Sequence, residues 1–150
     1  MKYKHWLGLS ALLVAVWGLS LLPAYAGSHC SPSTRYVVLE GGLVRDTLTR
    51  LVWQQQASST AMTYAVAQTY CSSSSLRVPT LKELFSIVDR RLTPTPAIDG
   101  AAFPNTPSTS FWTSTIYQPS AANSMWVVMF ANGGNGTQLR TTSNYVRCVR

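Results

Sequence analysis

Five side chains carry the most usable recognition chemistry in this chain: Arg90, Arg91, Arg140, Lys82 and Tyr117. A guanidinium grips a sulfate or carboxylate through two parallel N–H donors, an ammonium adds a point charge, and a phenol ring stacks on a sugar face. The bland alternative is that these are solvated surface charges. Either way the chemistry on offer is anion binding rather than bond making. A nucleophilic triad would have to recruit His29, the one histidine beyond residue 26. A carboxylate pair of the glycosidase kind could draw only on Glu83, Asp89 and Asp99. Glu83 suits a helix cap, while Asp46 and Asp99 suit turns. Asp89 falls at a helix C-terminus, where the dipole disfavours it, so it calls for an arginine partner, Arg77 or Arg147. Calcium needs clustered oxygen ligands. The loops hold few acids beyond Asp99, and Val127-Val128 follow Trp126. Zinc lacks histidines and free thiolates. No metal and no cofactor is expected. Trp53, Trp112 and Trp126 each lie in an apolar strand and read as core rather than sugar platform.

Residues 1–26 combine Lys2 and Lys4, an apolar run over 7–22, and Ala24-Tyr25-Ala26 with the small-x-small cleavage pattern. They read as a secretory signal peptide cleaved after Ala26, with no membrane span remaining afterwards. The rest divides into a short polar leader, 27–34, and one domain, 35–150, large enough to bury its own core. A secreted or periplasmic location follows. Without Lys2 and Lys4, ten basic residues face five acids, a net charge of +5. That favours acidic partners such as sulfated or uronic glycans or anionic lipid. Nucleic acid is excluded by the export signal and the lack of a lysine-rich stripe. Three cysteines, Cys30, Cys71 and Cys148, survive export into an oxidising compartment. Cys71 ends a predicted helix and Cys148 lies in the last predicted strand, whereas Cys30 sits in the polar leader. Their positions pair Cys71 with Cys148. Cys30 then stays free or bridges two chains into a homo-oligomer.

These groups must be held by elements that the pattern also predicts. Strand-like runs at 36–39, 43–45 and 50–54, separated by Gly41-Gly42 and by an Asp46-x-x-Thr49 turn, make two successive hairpins. Ser58, Ser59 or Thr60 caps a first helix ending near Cys71, with Met62, Ala65, Val66 and Tyr70 on its buried face. Pro79 holds the chain extended before a second helix over about 81–89. There Thr80 and Glu83 form a capping box, and Leu81, Leu84, Phe85 and Val88 share one face. Residues 93–110 form a proline-rich loop too long for an idle connection. A strand at 111–115, a loop at 117–124, a doubly buried strand at 125–130 and a turn at 132–136 follow. Strands at 136–140 and 145–150 close the sheet.

Read together, these motifs resemble the Lcl C-terminal domain family of exported bacterial domains, over residues 35–150. The family's Asp-x-x-Thr-Gly-Leu-x-Trp-Gln appears as Asp46-x-x-Thr49-Arg50-Leu51-Val52-Trp53-Gln54, with Arg50 in place of glycine. Tyr64, Ala67 and Cys71 keep the spacing of its Trp-x-x-Ala-x-x-x-Cys helix. Arg77-Val78-Pro79-Thr80 stands for Arg-Leu-Pro-Thr, and Phe111-Trp112-Thr113-Ser114-Thr115 for Tyr-Trp-Ser-Ser-Thr. Ala97-Ile98-Asp99 and Phe103-Pro104 fit the stretch between them, and Val146-Arg147-Cys148-Val149-Arg150 matches unchanged. The resemblance implies an α+β, C-type-lectin-like fold: two helices on a small, mostly antiparallel sheet with long irregular loops. It also implies a bridge from the first helix to the last strand and, from the family's adhesin, binding of sulfated glycans.

The expected function is therefore a non-catalytic binding module for an anionic or sulfated glycan at the cell surface. A structural or assembly component of the envelope, docking a protein partner through residues 93–124, is the alternative. An enzyme of the formylglycine-generating-like fold is the third reading, and the cysteine positions argue against it.

Overall fold

A computed structural model describes residues 35–92, 96–120 and 122–150. The segments expected as signal peptide and leader, Cys30 among them, lie outside the described residues, as do Thr93, Pro94 and Thr95 of the long loop. The body is α+β, with two helices and two antiparallel three-stranded sheets.

The first sheet contains β1 (Tyr36–Leu39), β2 (Leu43–Asp46) and β3 (Val52–Gln54) in chain order, the two hairpins read from the sequence. Gly41 and Gly42, at φ +74° and +70°, make the first turn. Asp46 builds the second, accepting the Leu48 N–H at 3.0 Å and the Thr49 hydroxyl at 2.8 Å. Arg50 closes that turn at φ 64°, in the left-handed region that the family's glycine adopts freely. A left-handed side chain costs about 1–2 kcal/mol, and glycine's extra chain entropy offsets about 0.5–1 kcal/mol of that. Arg50→Gly is thus expected to stabilise the fold by about 0.5–1 kcal/mol, read as a higher urea midpoint at unchanged slope.

Helix α1 (Tyr64–Ser72) starts later than residues 58–60 would place it, and its buried face is Tyr64, Ala67 and Cys71. Ala65 and Val66, expected inside, face solvent. Ser58 is committed elsewhere: its hydroxyl donates to the Thr60 carbonyl and accepts the Val146 N–H. Met62 and Asn144 exchange two backbone hydrogen bonds, which keeps the chain extended up to Thr63. Helix α2 (Leu81–Ser86) has the expected capping box between Thr80 and Glu83. It stops three residues short of Asp89, whose N–H is taken by the Ala97 carbonyl at 2.9 Å.

The second sheet is β4 (Ser110–Ile116), β5 (Ser124–Met129) and β6 (Gly134–Leu139). Successive strand residues point to opposite faces, and here both faces are covered. Phe111 and Val128 enter one core with Trp53, Leu84, Phe103 and Phe130. Trp112 and Val127 enter the other with Tyr64, Cys71, Val146 and Cys148. Residues 145–150, expected as a closing strand, instead make isolated bridges. Tyr145 pairs with Phe111 of the second sheet, and Val149 pairs with both Trp53 and Arg77. The segment changes partner along its length, so no continuous ladder forms. Cys148 within it is bonded to Cys71, with Cα atoms 5.5 Å apart, as the cysteine positions predicted.

Arg147 is fully buried. It is the residue for which the sequence reading offered only Asp89 as a partner. Its guanidinium donates to the Gln54 carbonyl at 2.9 Å, to the Gln55 carbonyl and to the Thr106 hydroxyl at 2.7 Å, and lies 4.8 Å from the Phe103 ring centre. Burial lowers its pKa to about 9, which leaves it charged at neutral pH. It ties the long loop to the end of β3.

Candidate functional site

The five sequence candidates divide between opposite ends of the second sheet. Arg90 and Arg91 stand at the end where β5 turns into β6. Arg90 donates through Nε and Nη2 to the Gly133 carbonyl, at 3.0 and 2.8 Å, and lies 5.7 Å from the Phe85 ring centre. Gly133 is needed there: a Cβ on it would fall 2.7 Å from Arg90 Cγ, and its φ is +70°. Arg91 donates through Nε and Nη2 to Asp89 at 3.0 and 2.8 Å. This corrects the partner expected for Asp89, which is neither Arg77 nor Arg147. Arg77 is taken by Glu83, and Arg147 is buried in the loop anchor. Both arginines at this end therefore already have structural contacts.

Lys82, Tyr117 and Arg140 stand at the other end. The Leu81 N–H, next to exposed Lys82, bonds Thr115 Oγ1 near the end of β4 at 2.9 Å. Tyr117 follows that strand and packs edge-on against half-buried Trp126, with centroids 5.5 Å apart. The Arg140 N–H bonds the Asn123 carbonyl at 2.7 Å, and its guanidinium lies 5.6 Å from the Tyr64 ring centre. Beside them a shallow groove of about 530 Å³ runs between α1 and residues 76–78, lined by Tyr64, Gln68, Thr69, Ser72, Arg77 and Ser114. Its rim is rich in hydroxyl and amide groups, and a cation stands at each margin: Arg140 over Tyr64, and in the wall Arg77, whose fork is engaged by Glu83 behind it.

Glu83 fixes the Arg77 fork at 2.7 and 2.8 Å while its Oε2 also accepts the Thr80 N–H at 2.8 Å. The Arg77 bonds, followed by those to Thr80, hold its pKa down at about 2 against an ordinary 4.5, with burial pulling the other way. Because the folded pKa is the lower one, the stabilisation is complete above pH 4.5 and is lost as pH falls towards 2. Arg77 is half exposed, so screening reduces the pair to about 1 kcal/mol. Glu83→Gln should lower stability by that amount at pH 7 and flatten the decline in thermal midpoint below pH 4.5.

A smaller recess of about 310 Å³ is lined by Arg35, Tyr36, Val88, Asp89, Arg91 and Asp99. Arg35 is forked onto Asp46 at 2.9 and 2.6 Å, and burial pushes the Tyr36 phenol up to about 12, so it stays neutral. Asp99 accepts the Ala101 and Ala102 N–H groups, the turn role expected of it. Among the described residues no three His, Cys, Asp or Glu side chains group as a metal site, and no helix is long and apolar enough to cross a membrane.

Sequence reasoning passed over Arg45, Arg50 and Arg150, which have no carboxylate partner among the described residues. For Arg45 the signal was present: alternation along Leu43-Val44-Arg45-Asp46 sends Val44 and Asp46 inward and Arg45 out. Arg77 was missed as a groove residue because its neighbours in space, Ser72 and Ser114, are distant or unpatterned in sequence.

A search of curated proteins returned no match. The family profile described as Lcl C-terminal domain matches residues 42–150, the stretch that holds β2 through the disulfide-bonded C-terminal segment and both sides of the groove. The chain belongs to the Lcl C-terminal domain family.

Proposed function

We propose that this chain is an exported, secreted or periplasmic, non-catalytic module of C-type-lectin-like type that binds an anionic or sulfated glycan along α1. The observation that carries the reading is the convergence of a hydroxyl-rich groove with Arg77 and Arg140 at its margins and Lys82 and Tyr117 at the same end of the sheet. Hydroxyl and amide groups exchange hydrogen bonds with sugar, and guanidinium forks suit sulfate or carboxylate. Family membership is consistent with it. On immobilised heparin, the exported chain should be retained and should elute with salt. Arg140→Ala with Lys82→Ala should elute at clearly lower salt, whereas Arg90→Ala should elute with the parent. Unchanged elution of the Arg140, Lys82 pair would remove the groove from the reading. Docking of an envelope protein is the second reading, favoured by exposed Ile116 and Leu139 at the same end. Ile116→Ser with Leu139→Ser would then abolish crosslinking to an envelope fraction and leave heparin elution unchanged.

A further inference from the structure

We infer that the outer face of the first sheet is a docking surface for an anionic lipid bilayer. Val37, Arg45 and Val52 are aligned across β1, β2 and β3. Val52 then exchanges both backbone hydrogen bonds with Arg150, at 2.8 and 2.9 Å, which extends the row by one chain. Residues directly opposite one another project from the same face, so Arg45 and Arg150 flank Val52, with Cα atoms about 10 Å apart at two strand spacings. Among the described residues, helix α1 covers this face at its far end, where Gln54 bonds Tyr70. The row therefore stays open, with Val37 at 45% exposure.

The β2–β3 turn continues directly from that row and carries Leu48, 75% exposed, and Arg50. Arg45, Arg50 and Arg150 have no side-chain carboxylate within ion-pair distance among the described residues. Asp46, next to Arg45, points to the other side, where it is fully buried and forked by Arg35. The other ion pairs among the described residues, Arg77 with Glu83 and Arg91 with Asp89, lie elsewhere. The Arg150 carbonyl lies in the plane of the sheet, bonded to the Val52 N–H. Three guanidinium groups with no side-chain carboxylate partner among the described residues, beside exposed aliphatic side chains, are the combination an anionic bilayer rewards, because phosphates take the charge and the acyl boundary takes the leucine. A soluble polyanion would use the arginines and leave Leu48 and Val37 in water. A second copy would set like charges against each other.

The experiment is sedimentation of the exported chain with vesicles of phosphatidylcholine containing phosphatidylglycerol, and with vesicles of phosphatidylcholine alone. Each arginine is expected to contribute about a fivefold factor in partitioning, and Leu48 about tenfold. The parent should sediment with the anionic vesicles and stay in solution with the neutral ones. Arg45→Ala, Arg50→Gly and Arg150→Ala together should lower partitioning by roughly a hundredfold, and Leu48→Ser alone should lower it while leaving its salt dependence intact. The thermal midpoint of each variant, at or above the parent's, shows that the fold is kept. Equal sedimentation with both vesicle types, a triple variant that binds like the parent, or Leu48→Ser with no effect would each overturn the proposal. So would a triple variant that loses heparin retention while keeping vesicle binding, or one that abolishes a dimer present without lipid. The Arg140, Lys82 variant of the groove should keep vesicle binding, so the two surfaces fail or succeed separately.

Discussion

Alanine at both Cys71 and Cys148 is expected to lower the unfolding free energy by about 4–5 kcal/mol, much of the total for a domain of this size. The bridge spans 77 positions, so the oxidised chain loses a large share of its unfolded freedom. Both sulfurs are buried in the second core beside Trp112 and Val146, and their removal also leaves a small void. Denaturant titration of the double variant against the parent, both under oxidising conditions, measures the difference. The same titration of the parent with reductant should approach the variant's midpoint. A double variant within about 1 kcal/mol of the parent would mean that the unfolded chain is already compact around this pair.

Arg147→Met is expected to cost about 2–4 kcal/mol. Methionine fills similar volume, so the loss isolates hydrogen bonding: the Gln54 and Gln55 carbonyls and the Thr106 hydroxyl each lose a charged donor in a buried site. The lost desolvation penalty of the cation offsets part of this, which is why the value stays below that of breaking a buried ion pair. Arg147→Lys keeps the charge but not the planar fork, and should cost about half as much. The Met variant should also be cleaved faster by protease within residues 96–109, because Thr106 and the Phe103 ring both rest on this guanidinium. If the midpoint fell without faster cleavage there, Arg147 would be supporting β3 and not the loop.

The parts of the fold legible in sequence were those set by neighbours within a few residues. The capping box needs only Thr80 and Glu83, the first hairpin needs only Gly41-Gly42 between apolar runs, and both are present. The doubly buried strand around Val127-Val128 was equally clear, because a continuous apolar run has no solvent face to offer. The start of α1 was not legible. Ser58 looks like a cap until Val146, 88 positions away, takes its hydroxyl. Asp89 was given a distant arginine when the one two residues along was within reach. The candidate cations were chosen by type and by nearness to loops, and sequence nearness says nothing about which end of a sheet a residue reaches. Arg90 and Arg140 were therefore grouped, although the β5–β6 hairpin puts its length between them.

The partner-switching segment at residues 145–150 has a kinetic corollary. Trp53, Arg77 and Phe111 all wait for it, across intervals of roughly thirty to a hundred positions, and entropy must be lost over those intervals before any contact returns it. A chain lacking those six residues keeps the β4–β5 ladder between the two cores but loses the bridges that tie Trp53, Arg77 and Phe111 to one segment. Contacts of such separation slow folding, so refolding after dilution from denaturant is expected to be slow for a domain of this size.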